Sequence, residues 1–386
     1  LEEGKKLYWV ESGAGMKINM VVPTPDLSGG WRVIATYADR LRRRGHDVTC
    51  VATVLPIFLR DRLRSLKHGS GWPANVPSQS HARNMKLPVK IVKPWRPVSD
   101  IDLPDADVVM ATWWETAEWV AALSPSKGVK TYFIQHHEVQ FTHQPADRVA
   151  ATWRLPMDKI TISQWLIELA RDKYGDPNAV KVPNSVDMDQ FHAPARGKQQ
   201  TPTVGMLYST TAFKGCDVAF KAFEMAAAKV PGLRLIAFGA EKPTADLPMP
   251  ANAEFHFCPA PERIKQLYAQ CDVWLCGSHS EGFHLPPLEA MACRCPVVST
   301  RVGGPMDIIQ PGVNGYLANV GDSTALANAL VDVLQLPEEQ WRAMSDAALA
   351  VATGYTWDDA TTLLERALHA SVARARSADR TIAIAG

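Results

Sequence analysis

Short apolar runs alternate with longer stretches of helical period along this chain. KINMVVP, starting at Lys17, is a run of the kind that fills a strand buried on both faces. GGWRVIATYADRLRRRGH comes next and sets Val33, Ile34, Tyr37 and Leu41 on one helix face. DVTCVAT, DADVVMATW and KTYFIQ read as further strands. Near residue 203 the series begins again. TVGMLYS, LRLIAFG, AEFHFC, DVWLCG and PVVST read as strands, with CDVAFKAFEMAAAKV and PERIKQLYAQ as helices. Strand–helix alternation predicts a parallel sheet of the α/β class, and the chain carries two such series.

The polar, Pro-containing stretch QFHAPARGKQQTP lies between the series, as a linker would. Residues 16–198 are therefore read as one Rossmann-like domain and residues 199–356 as another. Residues 357–386 are read as a C-terminal helix that packs back on the first domain and ends in a loose tail, SVARARSADRTIAIAG. LEEGKKLYWVESGAG is unlike the adjoining sequence and is set aside as an appended or disordered start, residues 1–15.

Composition fits this division. A length of 386 residues suits two ordinary domains, and 46% apolar residues supply two cores. Charged residues at 21% exclude wholesale disorder, and a net charge of +1 says nothing about partners. No apolar run approaches the roughly 20 residues needed to cross a bilayer. The first residues lack a basic-then-apolar signal pattern. Seven cysteines without a CxxC, and with Cys293 and Cys295 too close for the usual zinc pair, suggest reduced thiols in a cytoplasmic protein.

Local charge is more informative. Residues 56–97 hold Arg60, Arg62, Arg64, Lys67, Arg83, Lys86, Lys90, Lys93 and Arg96 against Asp61 alone, with Phe58, Trp72 and Trp95 interleaved. A solvated basic surface and a face for an acceptor or an anionic membrane are equally weighted readings. No nucleic-acid module accompanies the charge, so nucleic acid is not an expected partner.

The candidate chemistry is concentrated in SEGFHLPPLEAMACRCPVVSTRVGG, residues 280–304. A glycine turn and a helix come after the buried run DVWLCG, and ligands of parallel sheets bind beyond the carboxyl ends of the strands. Pro286 and Pro287 suit a first helical turn, where a missing N–H costs nothing. The amides of Phe283, His284 and Leu285 would then face a ligand, and an anion suits them. Glu281 and Glu289 would repel phosphate but can accept hydrogen bonds from sugar hydroxyls. Taken alone, Glu289 is better read as a first-turn carboxylate favoured by the helix dipole, and Glu281 as a turn residue.

Together the pieces change that balance. SEGFHLPPLEAMACRCPVVSTRVGG resembles the E-x7-E region of family 4 glycosyltransferases, retaining enzymes of the GT-B fold, in which two Rossmann-like domains face across a cleft. The resemblance runs from Met16 through GGWRVIATYADRLRRRGHDVTCVAT, VPNSVDMDQF, KGCDVAFKAF, LYAQCDVWLCGSHSEGF and GVNGYLA. It implies that Glu281 contacts the donor sugar and Glu289 the ribose hydroxyls, with Phe283, His284 and Leu285 along the sugar and diphosphate. Gly29 and Gly30 would face the donor phosphates, and Lys214 would pair with the diphosphate. An arginine common in the family six residues before that lysine is Tyr208 here, and Ser209, Thr210 or Arg32 are the candidates to compensate. His284, often a small residue in the family, is expected to reach the donor and tune which sugar fits.

YFIQHHEVQF ends a first-domain strand with Gln135, His136, His137 and Glu138. Adjacent side chains diverge, so the two histidines are not read as metal ligands. The resemblance puts one of them at the reaction centre and Gln135 and Glu138 toward the acceptor. This Gln-x-x-Glu pattern is similar to that of bacterial rhamnosyltransferases, and polysaccharide rhamnosyl- and mannosyltransferases are the subgroup it points to. Packing or capping is the plainer role for either histidine. Two further motifs are discounted. The DAD at 105–107 opens a strand, as turn residues do, and the GAG at 13–15 precedes a strand instead of coming after one.

The implied reaction carries a hexose or deoxyhexose from a nucleoside diphosphate to a glycan or lipid-linked acceptor, with retention, no cofactor and no metal. It would belong to bacterial-type polysaccharide assembly, in the cytoplasm or at the inner face of its membrane. A phosphorolytic enzyme would need a cofactor lysine motif that is not evident. A non-catalytic nucleotide-sugar-binding or scaffold protein is the alternative that Tyr208 and His284 leave open.

Overall fold

The computed structural model describes residues 15–54, 80–141 and 144–385, and these divide into two compact units. The first unit comprises the described parts of 1–134, 147–160 and 364–386. Its strands are β1 (Lys17–Val22), β2 (Asp47–Thr53), β3 (Val89–Val92), β4 (Val108–Ala111), β5 (Val129–Ile134) and β6 (Asp158–Thr161), ordered β3-β2-β1-β4-β5-β6. β1 pairs in parallel with β2, Lys17 opposite Asp47, and with β4, Ile18 opposite Val108. Four consecutive buried residues make up β4, as a strand covered on both faces requires.

Helix α1 (Gly29–Arg43) shows why the local sequence folds as it does. Ser28 caps it by accepting from the Trp31 amide. Val33, Ile34, Tyr37 and Leu41, the predicted face, are all buried, together with Trp31. Burying a side chain of Leu41's size contributes about 1.5–3 kcal/mol. Arg40, Arg42 and Arg43 sit favourably at the negative end of the helix dipole, and Gly45 at φ 92° turns the chain into β2.

The second unit comprises 135–146 and 161–363. It holds the two-residue strand β7 (Val180–Lys181) and the strands β8 (Thr203–Leu207), β9 (Arg234–Gly239), β10 (Ala253–Phe257), β11 (Val273–Cys276), β12 (Val297–Thr300) and β13 (Gly315–Ala318). The six-stranded sheet is parallel, ordered β10-β9-β8-β11-β12-β13, with Leu275 opposite Met206 across β11 and β8. Three of its helices bear on the chemistry: α2 (Cys216–Ala227), α3 (Pro261–Ala269) and α4 (Leu285–Ala292). The core gathers Met206, Tyr208, Phe220, Phe223, Leu235, Leu275, Leu330 and Trp341.

The division by contacts differs from the boundary read at 198/199. Residues 135–146 and 161–198 group with the second unit. The stretch read as a linker is bonded to the unit: Arg196 donates to the Cys271 carbonyl at 2.6 Å, Lys198 Nζ to the Leu334 and Leu336 carbonyls at 2.6 and 2.9 Å, and Gln199 N to Asp272 at 2.7 Å. A composition suited to a linker thus serves here to saturate buried acceptors. The expected loose tail is instead part of one long helix, Trp357–Ala385. Alanine and arginine are strong helix formers, and Arg374 donates to Asp158 at 2.7 Å.

Of the basic stretch 56–97, Phe58, Arg60, Asp61, Arg62, Arg64, Lys67 and Trp72 lie outside the described residues, as do residues 1–14. Within the described part, Lys90 donates to the Asp102 carbonyl and Arg96 forks onto the Asp102 carboxylate at 2.6 and 2.7 Å. The DAD motif is a structural turn: Asp107 accepts from Lys17 N, and Asp105 from Ser126 and Lys127.

Candidate functional site

Strand order reverses direction between β8 and β11 in the second sheet, and such a reversal opens a crevice at the carboxyl ends of the two strands. Two loops leave there. One runs from Leu207 to α2, the other from Cys276 to α4. They touch at Gly215 and Gly277. A Cβ on Gly215 would lie 2.0 Å from the Gly277 carbonyl oxygen, and one on Gly277 2.5 Å from that of Gly215. Gly215 also has φ 56°, a conformation that glycine adopts without penalty.

This close approach brings Lys214 onto Glu281. Lys214 Nζ lies 2.9 and 3.0 Å from the two carboxylate oxygens. Ser278 Oγ donates to Oε1 at 2.8 Å, and His284 Nδ1 lies 2.8 Å from the same oxygen. Burial pushes the Glu281 carboxyl up, but the His284 and Lys214 charges outweigh it and hold the group below the usual carboxylate range. A small pocket is lined by Lys214, Cys276, Gly277, Ser278 and His284 with Met206, Leu207 and Leu275.

The turn that carries Glu281 is fixed by crowding. A Cβ on Gly282 would fall 1.7 Å from the Gln135 carbonyl oxygen. Ser163 Oγ and Trp165 Nε1 both donate to the Gly282 carbonyl, at 2.8 and 3.0 Å. Gly303 and Gly304 pack under the Glu281 and Phe283 carbonyls, and the Gly304 amide donates to Phe283 O at 2.9 Å. Leu285 begins α4, so Pro286 and Pro287 fall in its first turn as expected. The amides of Phe283, His284 and Leu285 donate to no protein acceptor among the described residues. A helix start with free amides beside a lysine can take an anion.

Glu289 differs from its plainer reading. It lies in the second turn of α4, beyond the reach of a first-turn dipole effect. Its buried carboxylate accepts from Tyr268 Oη at 2.8 Å, and burial, with Glu289 beside it, pushes the Tyr268 phenol well up. The His284 side chain turns inward between Glu281 and Cys276.

The two histidines separate. His137 is buried, and its Nε2 is 2.8 Å from Tyr174 Oη. Burial, with Lys173 and His136 nearby, lowers its pKa to about 4. The His136 ring packs against Phe141, Trp165 and Phe213, at centroid distances of 4.8, 6.2 and 5.8 Å. Both its ring nitrogens are buried without a hydrogen-bond partner among the described residues. Burial lowers its pKa against the pull of the Glu281 charge and of the His137 and Ser280 backbone. Glu138 is buried, and Gln135 is half-buried with its carbonyl against Gly282.

Tyr208 points into the core, donating to Leu247 O and accepting from Thr244 N. Ser209 Oγ accepts from Thr211 N, and Thr210 donates to Glu241 from both its amide and its hydroxyl. Gly29 and Gly30 open α1 in the first unit, and a Cβ on Gly29 would meet nothing within 4 Å. Sequence reasoning missed Ser278, Tyr268 and the Phe141–Trp165–Phe213 cage. Ser278 three residues before Glu281 carried a faint signal, whereas Tyr268 reaches Glu289 from α3, which no spacing reveals.

Residues 27–190 match the family model for Glycosyltransferase Family 4, and residues 187–350 that for Glycosyl transferases group 1. The D-inositol 3-phosphate glycosyltransferase of Mycobacterium avium is 32% identical over 210 residues, 50% of this chain and 49% of that one. The N-acetyl-alpha-D-glucosaminyl L-malate synthase of Bacillus anthracis is 42% identical over 87 residues, 22% of this chain and 23% of that one. The matched stretches thus span about half or less of these curated relatives. Among solved structures, Anabaena HepE in complex with UDP-glucose superimposes with TM-score 0.67 at 17% identity, over 94% of this chain and all of that one. Sucrose-phosphate synthase from Thermosynechococcus elongatus gives TM-score 0.67 at 16% identity, over 96% and 100%.

Proposed function

The chain belongs to the family 4 glycosyltransferases, of the two-domain GT-B fold, and from that premise we propose that it carries a hexose or deoxyhexose from a nucleoside diphosphate to a glycan or lipid-linked acceptor, with retention. One observation carries the reading: Lys214, Glu281 and three free amides meet at the switch point of the second sheet. A donor diphosphate competes with Glu281 for Lys214 and takes hydrogen bonds from the amides of Phe283, His284 and Leu285. The carboxylate so released accepts from hydroxyls of the transferred sugar. Glu289, buried beside Tyr268, is assigned to the ribose hydroxyls. His136, caged by Phe141, Trp165 and Phe213, is assigned to a sugar or acceptor hydroxyl. Gln135 and Glu138 support an assignment to the acceptor side, and their spacing supports a deoxyhexose donor.

The bond between the anomeric carbon and the phosphate oxygen breaks with oxocarbenium character. Negative charge grows on the diphosphate, where Lys214 and the amides offset it by fixed electrostatics. The acceptor hydroxyl attacks from the same face and passes its proton to the departing phosphate oxygen. This route calls for neither a carboxylate nucleophile nor a metal. That Anabaena HepE, a protein of similar fold, holds UDP-glucose supports a nucleoside-diphosphate-sugar donor. No helix among the described residues is long and apolar enough to cross a bilayer.

The test is a panel of UDP-, GDP-, dTDP- and ADP-sugars, with freed nucleoside diphosphate measured by mass spectrometry. Release from one donor, lost in Glu281→Ala, is expected. Tight binding without turnover across many acceptors would instead establish a non-catalytic nucleotide-sugar-binding protein. Tyr208, which leaves one position near the diphosphate without a cation, favours that second reading.

A further inference from the structure

The backbone at His284 is in the left-handed region, φ 69° and ψ 84°, immediately before α4. Glycine adopts this conformation freely, whereas an L-residue with a Cβ is strained there. The side chain is nevertheless buried and fully engaged. Nδ1 lies 2.8 Å from Glu281 Oε1, and Nε2 lies 3.3 Å from Cys276 Sγ. Strain that persists at a polar, buried position points to a function for the side chain that causes it.

The contacts at Glu281 show what that function is. Oε1 takes three partners: Ser278 Oγ, Lys214 Nζ and His284 Nδ1. Oε2 takes Lys214 at 3.0 Å. When a diphosphate draws Lys214 away, Ser278 and His284 still hold Oε1, while Oε2 loses its lysine. We propose that His284 is a positioning residue, donating from Nδ1 to Glu281 Oε1 so that the carboxylate stays fixed and presents Oε2 to the donor sugar once Lys214 has left. Cys276 completes the arrangement: its Sγ lies 3.3 Å from Nε2, a second partner that holds the ring with Nδ1 toward Glu281. This inference rests on the glycosyltransfer reading above for the identity of the ligand, but not for the hydrogen-bond geometry.

Two measurements test it. Nitrogen-15 spectra of histidine-labelled full-length protein at neutral pH read the ring tautomer of His284, assigned by its loss in His284→Gly. A neutral ring protonated at Nδ1, or a doubly protonated one, is expected; a neutral ring protonated only at Nε2 overturns the proposal whether or not the protein has activity. Kinetics supply the second readout, with the donor that the wild-type protein turns over. His284→Gly suits the backbone and removes the donor, so kcat should fall about 10- to 100-fold with donor KM changed by less than about threefold. Asparagine tolerates the left-handed region and places an amide N–H near the position of Nδ1, so His284→Asn should recover most of kcat. Wild-type kcat in His284→Gly, or no recovery in His284→Asn, overturns the inference and leaves the glycosyltransfer reading standing. Failure of the wild-type protein on every sugar in the panel sinks that reading, while the tautomer still decides the role of His284.

Discussion

The two sheets share one strand order and therefore one kind of switch point, between β1 and β4 in the first and between β8 and β11 in the second. Their chemistry differs. At the first, polar groups are stitched to nearby protein atoms. Thr24 donates to Thr53 O, Trp31 Nε1 to Pro23 O, and Thr112 Oγ1 to Val21 O. Backbone amides there find side-chain acceptors too, as when Ser28 N donates to Asp26 and Thr112 N to Thr116. At the second, a lysine and a buried glutamate neutralise each other beside amides left unbonded. Topology supplies a crevice in both units; in the second, among the described residues, it holds a charge pair that a ligand can separate.

The strongest way to break this comparison is to remove the charge. Glu281→Ala should lower nucleoside-diphosphate release by about 100-fold or more, a loss of about 3 kcal/mol of transition-state stabilisation. An unchanged rate would mean that the second crevice is as structural as the first. Next in size is the loop contact. Gly215→Ala forces a Cβ toward the Gly277 carbonyl at positive φ and should destabilise by about 2–3 kcal/mol, read as a lowered denaturant midpoint with the slope retained.

A pH experiment sharpens the contrast further. His137 has a folded pKa of about 4, below the ordinary value of 6.5, so the unfolded chain binds its proton first as pH falls. Its contribution is complete above pH 6.5 and is lost progressively down to pH 4, amounting to at most about 3 kcal/mol. His136, lowered in the same direction, adds to the slope. His137→Gln should flatten the stability profile in that window; an identical slope would remove His137 as its source. The smallest effect belongs to the first unit. A Cβ on Gly29 meets open space, so Gly29→Ala should change stability by less than about 0.5 kcal/mol in thermal unfolding.

Much of this was legible because short apolar runs and a 3.6-residue period survive any tertiary context. KINMVVP became β1, and DVWLCG became β11, each in the predicted place. β3 was missed because VKIV alternates with lysine inside a basic stretch, and β13 because GYLA is four residues long and comes after a glycine turn. Glu281, Lys214 and the free amides could be marked from the resemblance that SEGFHLPPLEAMACRCPVVSTRVGG and KGCDVAFKAF carry. The way they meet could not, since Lys214 reaches Glu281 only after two loops fold over each other, and the turn that aims Ser278 and His284 at the same carboxylate depends on backbone conformation that spacing does not show. The inward turn of His284 has the same origin: a left-handed residue reverses the direction in which its side chain leaves, and nothing in FHLPP announces the sign of φ.

The last helix has a consequence for how the protein is cut and handled. Residues 364–386 group with the first unit although they end the chain, and Leu364, Leu368 and Val372 are buried. Glu365 there meets Arg44 and His46, and Arg374 meets Asp158. A fragment stopping at residue 198 would therefore expose the surface that this helix covers, and would behave as an incomplete protein instead of an isolated domain. Supplying the helix as a separate peptide, or rejoining it by circular permutation ahead of Met16, is the route to a soluble first half.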